Sequence, residues 1–326
     1  TKGVFMIDPS IMKIRRFACE QPGDYSLVTN NVRCLLQDQS GSILLGTDSG
    51  LHKITLSHQD TDQVASNQLY LRGVSCKSML QTRNGRIWIG TSENGLYFCK
   101  DSDSMQFNKV SNHAFGEDSA SNKGFISMSD GHQGHIWLGT LEGVYLLSSV
   151  QRGFRTFQKA AGKTNTLSDN RVNSFYAQSN DSIWIGTEGG GLNFFNRKTN
   201  TFTHFVNDPD DPHSISSNAV MTIFPDESGD LWVGTSKEGV NLLHRSTGRF
   251  SHYTHDPSDP HSLSHRDVRC IYSDHEKNLW FATVGGGLNL LSDRSSMRFK
   301  HYQRQKKSPD DLATNAVLTL VEDHAN

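Results

Sequence analysis

Ile183-Trp184-Ile185-Gly186-Thr187 is one of six versions of a single string. The others are Ile43-Leu44-Leu45-Gly46-Thr47, Ile87-Trp88-Ile89-Gly90-Thr91, Ile136-Trp137-Leu138-Gly139-Thr140, Leu231-Trp232-Val233-Gly234-Thr235 and Leu279-Trp280-Phe281-Ala282-Thr283. All five tryptophans of the chain (Trp88, Trp137, Trp184, Trp232, Trp280) hold the same place in the string, where Leu44 stands in once. The motif threonines follow one another at 44, 49, 47, 48 and 48 residues, which marks a repeat architecture.

Working outward from each copy, the unit has four short apolar runs. A first run such as Ala219-Val220-Met221-Thr222-Ile223 precedes a turn such as Asp226-Glu227-Ser228-Gly229, and the tryptophan string is the second run. Glu188-Gly189-Gly190-Gly191 turns the chain into a third run, Leu192-Asn193-Phe194-Phe195. A fourth, aromatic run follows: Phe202-Thr203-His204-Phe205, Phe250-Ser251-His252-Tyr253 or Phe299-Lys300-His301-Tyr302. Runs of four to six β-branched or aromatic residues bounded by Gly, Asn, Asp and Pro read as strands. Four strands in about 47 residues make one propeller blade, so the fold expected is an all-β propeller with four-stranded antiparallel blades. Each tryptophan is then a wedge between blades, and the motif glycine marks close blade contact.

The ends set the expected blade number. Thr1-Lys2-Gly3-Val4-Phe5-Met6-Ile7-Asp8 aligns with Thr187 to Phe194, and Asn315 to Asp323 aligns with a first strand and its turn. The next tryptophan string would fall near position 330. The expectation is therefore a single seven-bladed propeller over 1–326, with six complete repeats. Its closing blade is shared between 1–20 and 312–326 and lacks its second strand, which closes the ring and hides sheet edges. The chain is expected to be a fragment of a longer protein; the alternative reading of its ends is an arbitrary cut from a longer array of repeats.

The bulk properties exclude several classes. Lys and Arg number 32 against 34 Asp and Glu, a formal charge of −2, so there is no basic excess for neutralising nucleic-acid phosphates. No apolar run of about 18 residues exists, so this fragment is not expected to contact a membrane. A start at Thr1 places any targeting segment upstream or already removed. Cys19, Cys34, Cys76, Cys99 and Cys270 are scattered without a Cys-x-x-Cys pair and read as small core residues.

No catalytic residue, metal site or cofactor is expected. Asn207-Asp208-Pro209-Asp210-Asp211-Pro212 lacks calcium-loop spacing and reads as a turn between blades. The histidines, His213 and His261 among them, show no metal-ligand spacing. There is no Gly-x-Ser-x-Gly elbow and no phosphate loop, and Glu142, Glu188 and Glu238 recur with the repeat rather than converging as an acid/base pair. In a propeller, the loops entering the innermost strand and those between the second and third strands open on one face. On that face the candidate ligand residues are Asn31, Arg33, Asn170, Arg171, Glu188, Asn218, Glu238, His265, Arg266 and Arg269. Arginine and asparagine there offer several planar donors to sugar hydroxyls or uronate carboxylates.

A lead of the Pro-x-Ser-Leu-Ser type, a valine strand, an Asp-x-x-Gly turn, the tryptophan string and Gly-Gly-Leu-Asn together resemble the two-component regulator propeller repeat. Asp259-Pro260-His261-Ser262-Leu263-Ser264 with Asp274, Leu279 to Thr283 and Gly286-Gly287-Leu288-Asn289 is one such unit, and Asp211-Pro212-His213-Ser214-Ile215-Ser216 opens another. The second unit, with Asn67-Gln68-Leu69-Tyr70-Leu71, and the third, with Ser129-Asp130-Gly131, lack the lead. The resemblance implies the periplasmic sensor region of a Bacteroidetes-type hybrid histidine kinase. Such a receptor is a homodimer with a neighbouring propeller and β-sandwich domains, and it takes part in oligosaccharide-dependent signalling. A propeller enzyme, either a polysaccharide lyase or a glycoside hydrolase, and a protein-interaction scaffold are the alternatives.

Overall fold

The computed structural model describes residues 3–8, 13–17, 19, 26–56, 64–100, 104–110, 123–131, 134–147, 154–304, 312 and 314–323, and every element assigned in them is a β-strand. The chain opens with the pair β1 (Val4–Asp8) and β2 (Lys13–Phe17). Blade 1 holds β3 (Val32–Gln37), β4 (Ile43–Thr47), β5 (Gly50–Leu56) and β6 (Val64–Tyr70). Blade 2 holds β7 (Cys76–Gln81), β8 (Ile87–Thr91), β9 (Leu96–Cys99) and β10 (Phe107–Lys109). Blade 3 holds β11 (Phe125–Asp130), β12 (Ile136–Thr140), β13 (Val144–Leu147) and β14 (Phe154–Phe157). Blade 4 holds β15 (Val172–Ala177), β16 (Ser182–Thr187), β17 (Leu192–Asn196) and β18 (Thr201–Phe205). Blade 5 holds β19 (Val220–Pro225), β20 (Leu231–Thr235), β21 (Val240–His244) and β22 (Arg249–Tyr253). Blade 6 holds β23 (Val268–Ser273), β24 (Leu279–Thr283), β25 (Gly287–Asp293) and β26 (Arg298–Tyr302). Within each blade, consecutive strands pair antiparallel. Neighbouring blades touch through their first strands, which are therefore the innermost.

The expected seven blades are corrected to six four-stranded blades and one two-stranded sheet. Within the predicted closing blade, β1 and β2 form, but 315–323 does not become a strand; its one ladder contact is the isolated bridge Val284–Ala316. The reason is that a strand exists by pairing, and among the described residues no second strand lies beside this segment to pair with it. Residues 1–2, 9–12, 18, 20, 313 and 324–326 of that predicted blade lie outside the described residues.

Tryptophans of the motif pack between blades. Trp137 joins a cluster with Val172, Ile185 and Phe195 of the next blade, and Trp232 does the same with Val268 and Phe281. The motif glycine is forced by contact: a Cβ on Gly186 would lie 2.6 Å from Val220 Cγ1 of the next blade. The motif threonine has a role that spacing did not suggest. In all six blades its hydroxyl donates to a glycine carbonyl across the turn, as in Thr187 to Gly191 (2.9 Å) and Thr283 to Gly287 (2.9 Å). The cysteine reading needs one correction. Cys76 and Cys99 are buried and Cys34 and Cys270 partly so, but Cys19 is exposed. Burial pushes the Cys76 thiol up to about 12, so it stays protonated and inert.

The asparagine of Gly-Leu-Asn fixes the lead loop. Asn193, Asn241 and Asn289 are fully buried, and their side-chain oxygens accept the backbone N–H of Ser168, Ser216 and Ser264 at 3.0, 2.9 and 2.8 Å. The two units without the lead carry Tyr97 and Tyr145 at this register position, so lead and asparagine are lost together. Blade 1 uses His52, whose Nε2 accepts from Val28 N–H at 3.0 Å while Nδ1 donates to Asn67 at 2.9 Å.

That arrangement requires a neutral imidazole, and burial pushes His52 below its usual range against the opposing Asn67 bond. A depressed histidine pKa means the unfolded chain binds the extra proton first. The His52 contribution is therefore complete above about pH 6.5 and is lost as pH falls below it. His275, raised by its bond to Glu322, acts with the opposite sign but is exposed. His52→Asn keeps an acceptor for Val28 and removes the titration. Urea melts at about pH 5.5 and pH 7.5 should show a smaller pH difference in the variant than in the wild type, and an equal difference would remove His52 from the account.

Candidate functional site

The site grows from a repeated defect. In every blade the residue at the start of the first strand pairs with the motif threonine, as Val32 with Thr47 and Val268 with Thr283, and the register then slips by one. The slipped residues are Arg33, Lys77, Ile126, Asn173, Met221 and Arg269. A bulge re-aims its side chain, and six bulges at equivalent places on the innermost strands form a ring at one rim of the propeller. Neighbours in the ring touch: Asn173 Nδ2 lies 3.5 Å and Arg269 Nη1 3.7 Å from Met221 Sδ.

The ring is polarised. Arg269, Arg33 and Lys77 follow one another around the side that includes the β1–β2 position, while Ile126, Asn173 and Met221 face them. Each cation is held by a carboxylate on the same rim. Arg33 forks onto Asp48, Nε to Oδ1 at 2.9 Å and Nη2 to Oδ2 at 2.7 Å, and Lys77 reaches the same Oδ1 at 3.1 Å. The Arg33 bond, with Lys77 behind it, holds the Asp48 carboxyl well below the usual carboxylate range. Arg269 approaches Asp267 at 2.7 and 2.9 Å. Lys77, Asp48 and Asp267 were missed in the sequence. Lys77 was findable, since it stands at the repeat offset of Arg33.

The predicted residues separate into two groups. Asn170 and Asn218 are committed to the backbone, accepting from Lys159 N–H at 2.7 Å and Asn207 N–H at 2.8 Å. His265 accepts from Asp267 N–H at 3.1 Å, and its ring lies against Gly285. The other group faces solvent. Arg171 is half-exposed and loosely placed 3.7 Å from both Asp169 and Glu188. Arg266 and Glu238 are exposed, and among the described residues neither side chain has a hydrogen-bond or ionic partner. Asn31 sits on the rim beside Asp48, whose N–H donates to the Asn31 carbonyl at 3.1 Å. The same rim bond links Glu188 N–H to Arg171 O at 2.9 Å, so loop-entry and second-to-third-strand loops do share one face.

Four segments, 70–93, 166–189, 214–237 and 262–285, match the two-component regulator propeller family. A histidine kinase, P4, of Formosa agariphila is 28% identical over 188 residues, which covers 54% of this chain and 13% of that protein. Among solved structures, the extracellular domain of a hybrid two-component system of B. thetaiotaomicron superposes with a TM-score of 0.69 at 20% identity, covering 91% of this chain and 38% of its own. Virginiamycin B lyase of Staphylococcus aureus shares the fold with a TM-score of 0.60 at 14% identity, covering 86% of each chain. The chain thus spans a small part of the kinase and well under half of the receptor domain.

Proposed function

We propose that this chain, which carries two-component regulator propeller repeats, is a non-catalytic, periplasmic sensor propeller of a hybrid two-component histidine kinase. Its rim would engage an oligosaccharide bearing carboxylates, and the propeller would work beside further propeller and β-sandwich domains in a receptor homodimer. The relative named as a histidine kinase supports the receptor context. The observation that carries the ligand reading is the rim itself: Arg33 and Arg269 are preset by Asp48 and Asp267, while Arg266 is exposed at the entry to blade 6 and half-exposed Arg171, at the entry to blade 4, is only loosely paired with Asp169 and Glu188. A ligand that favoured one placement of the propeller against its neighbours would shift the receptor's equilibrium toward signalling.

The test is calorimetric titration with acidic and neutral oligosaccharides, with product analysis of each mixture. Charge-assisted bonds contribute roughly 1.5–3 kcal/mol, so Arg171→Ala with Arg266→Ala should weaken binding of an acidic oligosaccharide at least about tenfold. Both side chains are solvent-facing, so the melting temperature should hold. Undiminished affinity in the double variant overturns the rim as the site, and cleaved product overturns the non-catalytic reading.

A further inference from the structure

Among the described residues, the six blades and the β1–β2 pair meet at seven interfaces, and six are built alike. The second strand of one blade presents Leu44, Trp88, Trp137, Trp184, Trp232 or Trp280 to the first strand of the next unit. The receiving residues stand three apart: Cys76 and Met79, Phe125 and Met128, Val172 and Phe175, Val220 and Ile223, Val268 and Ile271. Trp280 meets Val317 and Leu320, again three apart, so 316–320 occupies a first-strand place. The seventh interface offers Val32 and Leu35 in the same receiving positions, but what faces them is Val4, Met6 and Phe17, with no tryptophan.

A cavity of about 80 Å³ lies there, floored by Val32 and Leu35 and walled by Gly3–Phe5 and Ile7 on one side and Ala316–Leu320 on the other, with Leu288 at its edge. Both walls have unpaired backbone edges. Among the described residues β1 pairs only with β2, and 316–320 is held by the Val284–Ala316 bridge and by Val317 N–H to Thr283 O at 2.9 Å. β1 already behaves as a third strand, with Val4 and Met6 packed toward blade 1 and Phe5 and Ile7 toward blade 6. A first-strand place and a third-strand place thus flank a gap where each blade has its tryptophan strand.

We propose that this cavity is the acceptor site for one extended peptide strand of the pattern apolar-Trp-apolar-Gly-Thr, added between 316–320 and β1. The strand would supply the missing ladder to both edges by β-augmentation, seat its tryptophan on Val32 and Leu35, and turn its glycine to the close blade contact. The cavity is smaller than an indole, so 316–320 moves outward on admission. Its few backbone bonds permit that. The site is independent of the ligand rim and stands or falls without it.

A fluorescein-labelled peptide with the sequence of residues 180–189, Asn-Asp-Ser-Ile-Trp-Ile-Gly-Thr-Glu-Gly, tests the proposal by anisotropy against the whole chain. Saturable one-to-one binding is expected, with Trp184→Ser and Gly186→Val versions of the peptide at least about tenfold weaker. Binding should slow hydrogen exchange at the amides of β1 and 317–320. In the protein, Leu35→Trp fills the cavity from the receiving side and should abolish binding. The proposal is overturned if the parent peptide does not bind, if the Trp184→Ser peptide binds equally, or if protection appears elsewhere. Undiminished binding by a folded Leu35→Trp protein also overturns it; should that variant not fold, the peptide series and the exchange map decide.

Discussion

Replacing Trp232 with alanine will lower the unfolding free energy by about 3–5 kcal/mol, read as a shift of the urea midpoint. The side chain is 1% exposed and belongs to two blades at once. Its ring meets Phe281 of blade 6 edge-on with centroids 5.5 Å apart, and it packs on Tyr253 of its own blade at 5.9 Å. Its indole N–H donates to Asp226 Oδ1 at 3.0 Å, a carboxylate that also takes Arg294 of blade 6 at 2.8 Å. Alanine therefore opens a cavity at a blade interface and withdraws one donor from a nearly buried carboxylate. The cavity dominates: a net hydrogen bond is worth about 1 kcal/mol, and Arg294 remains to hold the charge. Trp232→Phe, which loses the donor but keeps much of the apolar volume, should cost less than half as much. A loss below about 1 kcal/mol for alanine would remove the wedge role, since a large buried aromatic cannot be deleted that cheaply from a packed interface.

What the sequence disclosed, and what it did not, divides along a physical line. The strands, the tryptophan wedges and the glycine contact were legible because each is a demand made by one residue in its own repeat. Asn193 and its equivalents were visible as a motif, but their work was not, because it lies in a bond to Ser168, 25 residues earlier. The blade count failed at 315–323, whose residues are right for a strand but which has no strand to ladder with among the described residues. At the rim, the arginines stood out as irregular residues. Asp48 and Asp267, which orient them, did not, because a carboxylate after a motif threonine (Asp48) or just before a first strand (Asp267) looks like any loop acid until the bulge brings the neighbouring arginine onto it. Asn170 and Asn218 looked alike with Arg266 on a repeat alignment, yet two are tied to the backbone and one is exposed.

Gly90→Val sets a local preference against a packing constraint, and packing should win. Valine favours strands where glycine does not, which taken alone would stabilise β8 by up to about 1 kcal/mol. But a Cβ on Gly90 would stand 2.3 Å from Ser78 Oγ, 2.5 Å from the Phe125 carbonyl oxygen and 2.8 Å from Phe125 Cβ. The serine hydroxyl can rotate away; the carbonyl cannot, because Phe125 is fully buried at the start of β11 and pairs with Thr140. Relief requires blades 2 and 3 to separate, at the expense of the cluster that holds Trp88, Leu138 and Tyr145. Overpacking of this kind costs roughly 1–3 kcal/mol, and a backbone obstacle places Gly90→Val at the upper end of that range or beyond. Position 282 is the informative contrast. It carries alanine naturally and faces 316–320 in place of a laddered first strand, so Ala282→Gly should cost about 1 kcal/mol or less. If urea unfolding finds Gly90→Val as stable as the wild type, the blades are not in the close contact that the repeated glycine implies, and the motif glycine needs another explanation.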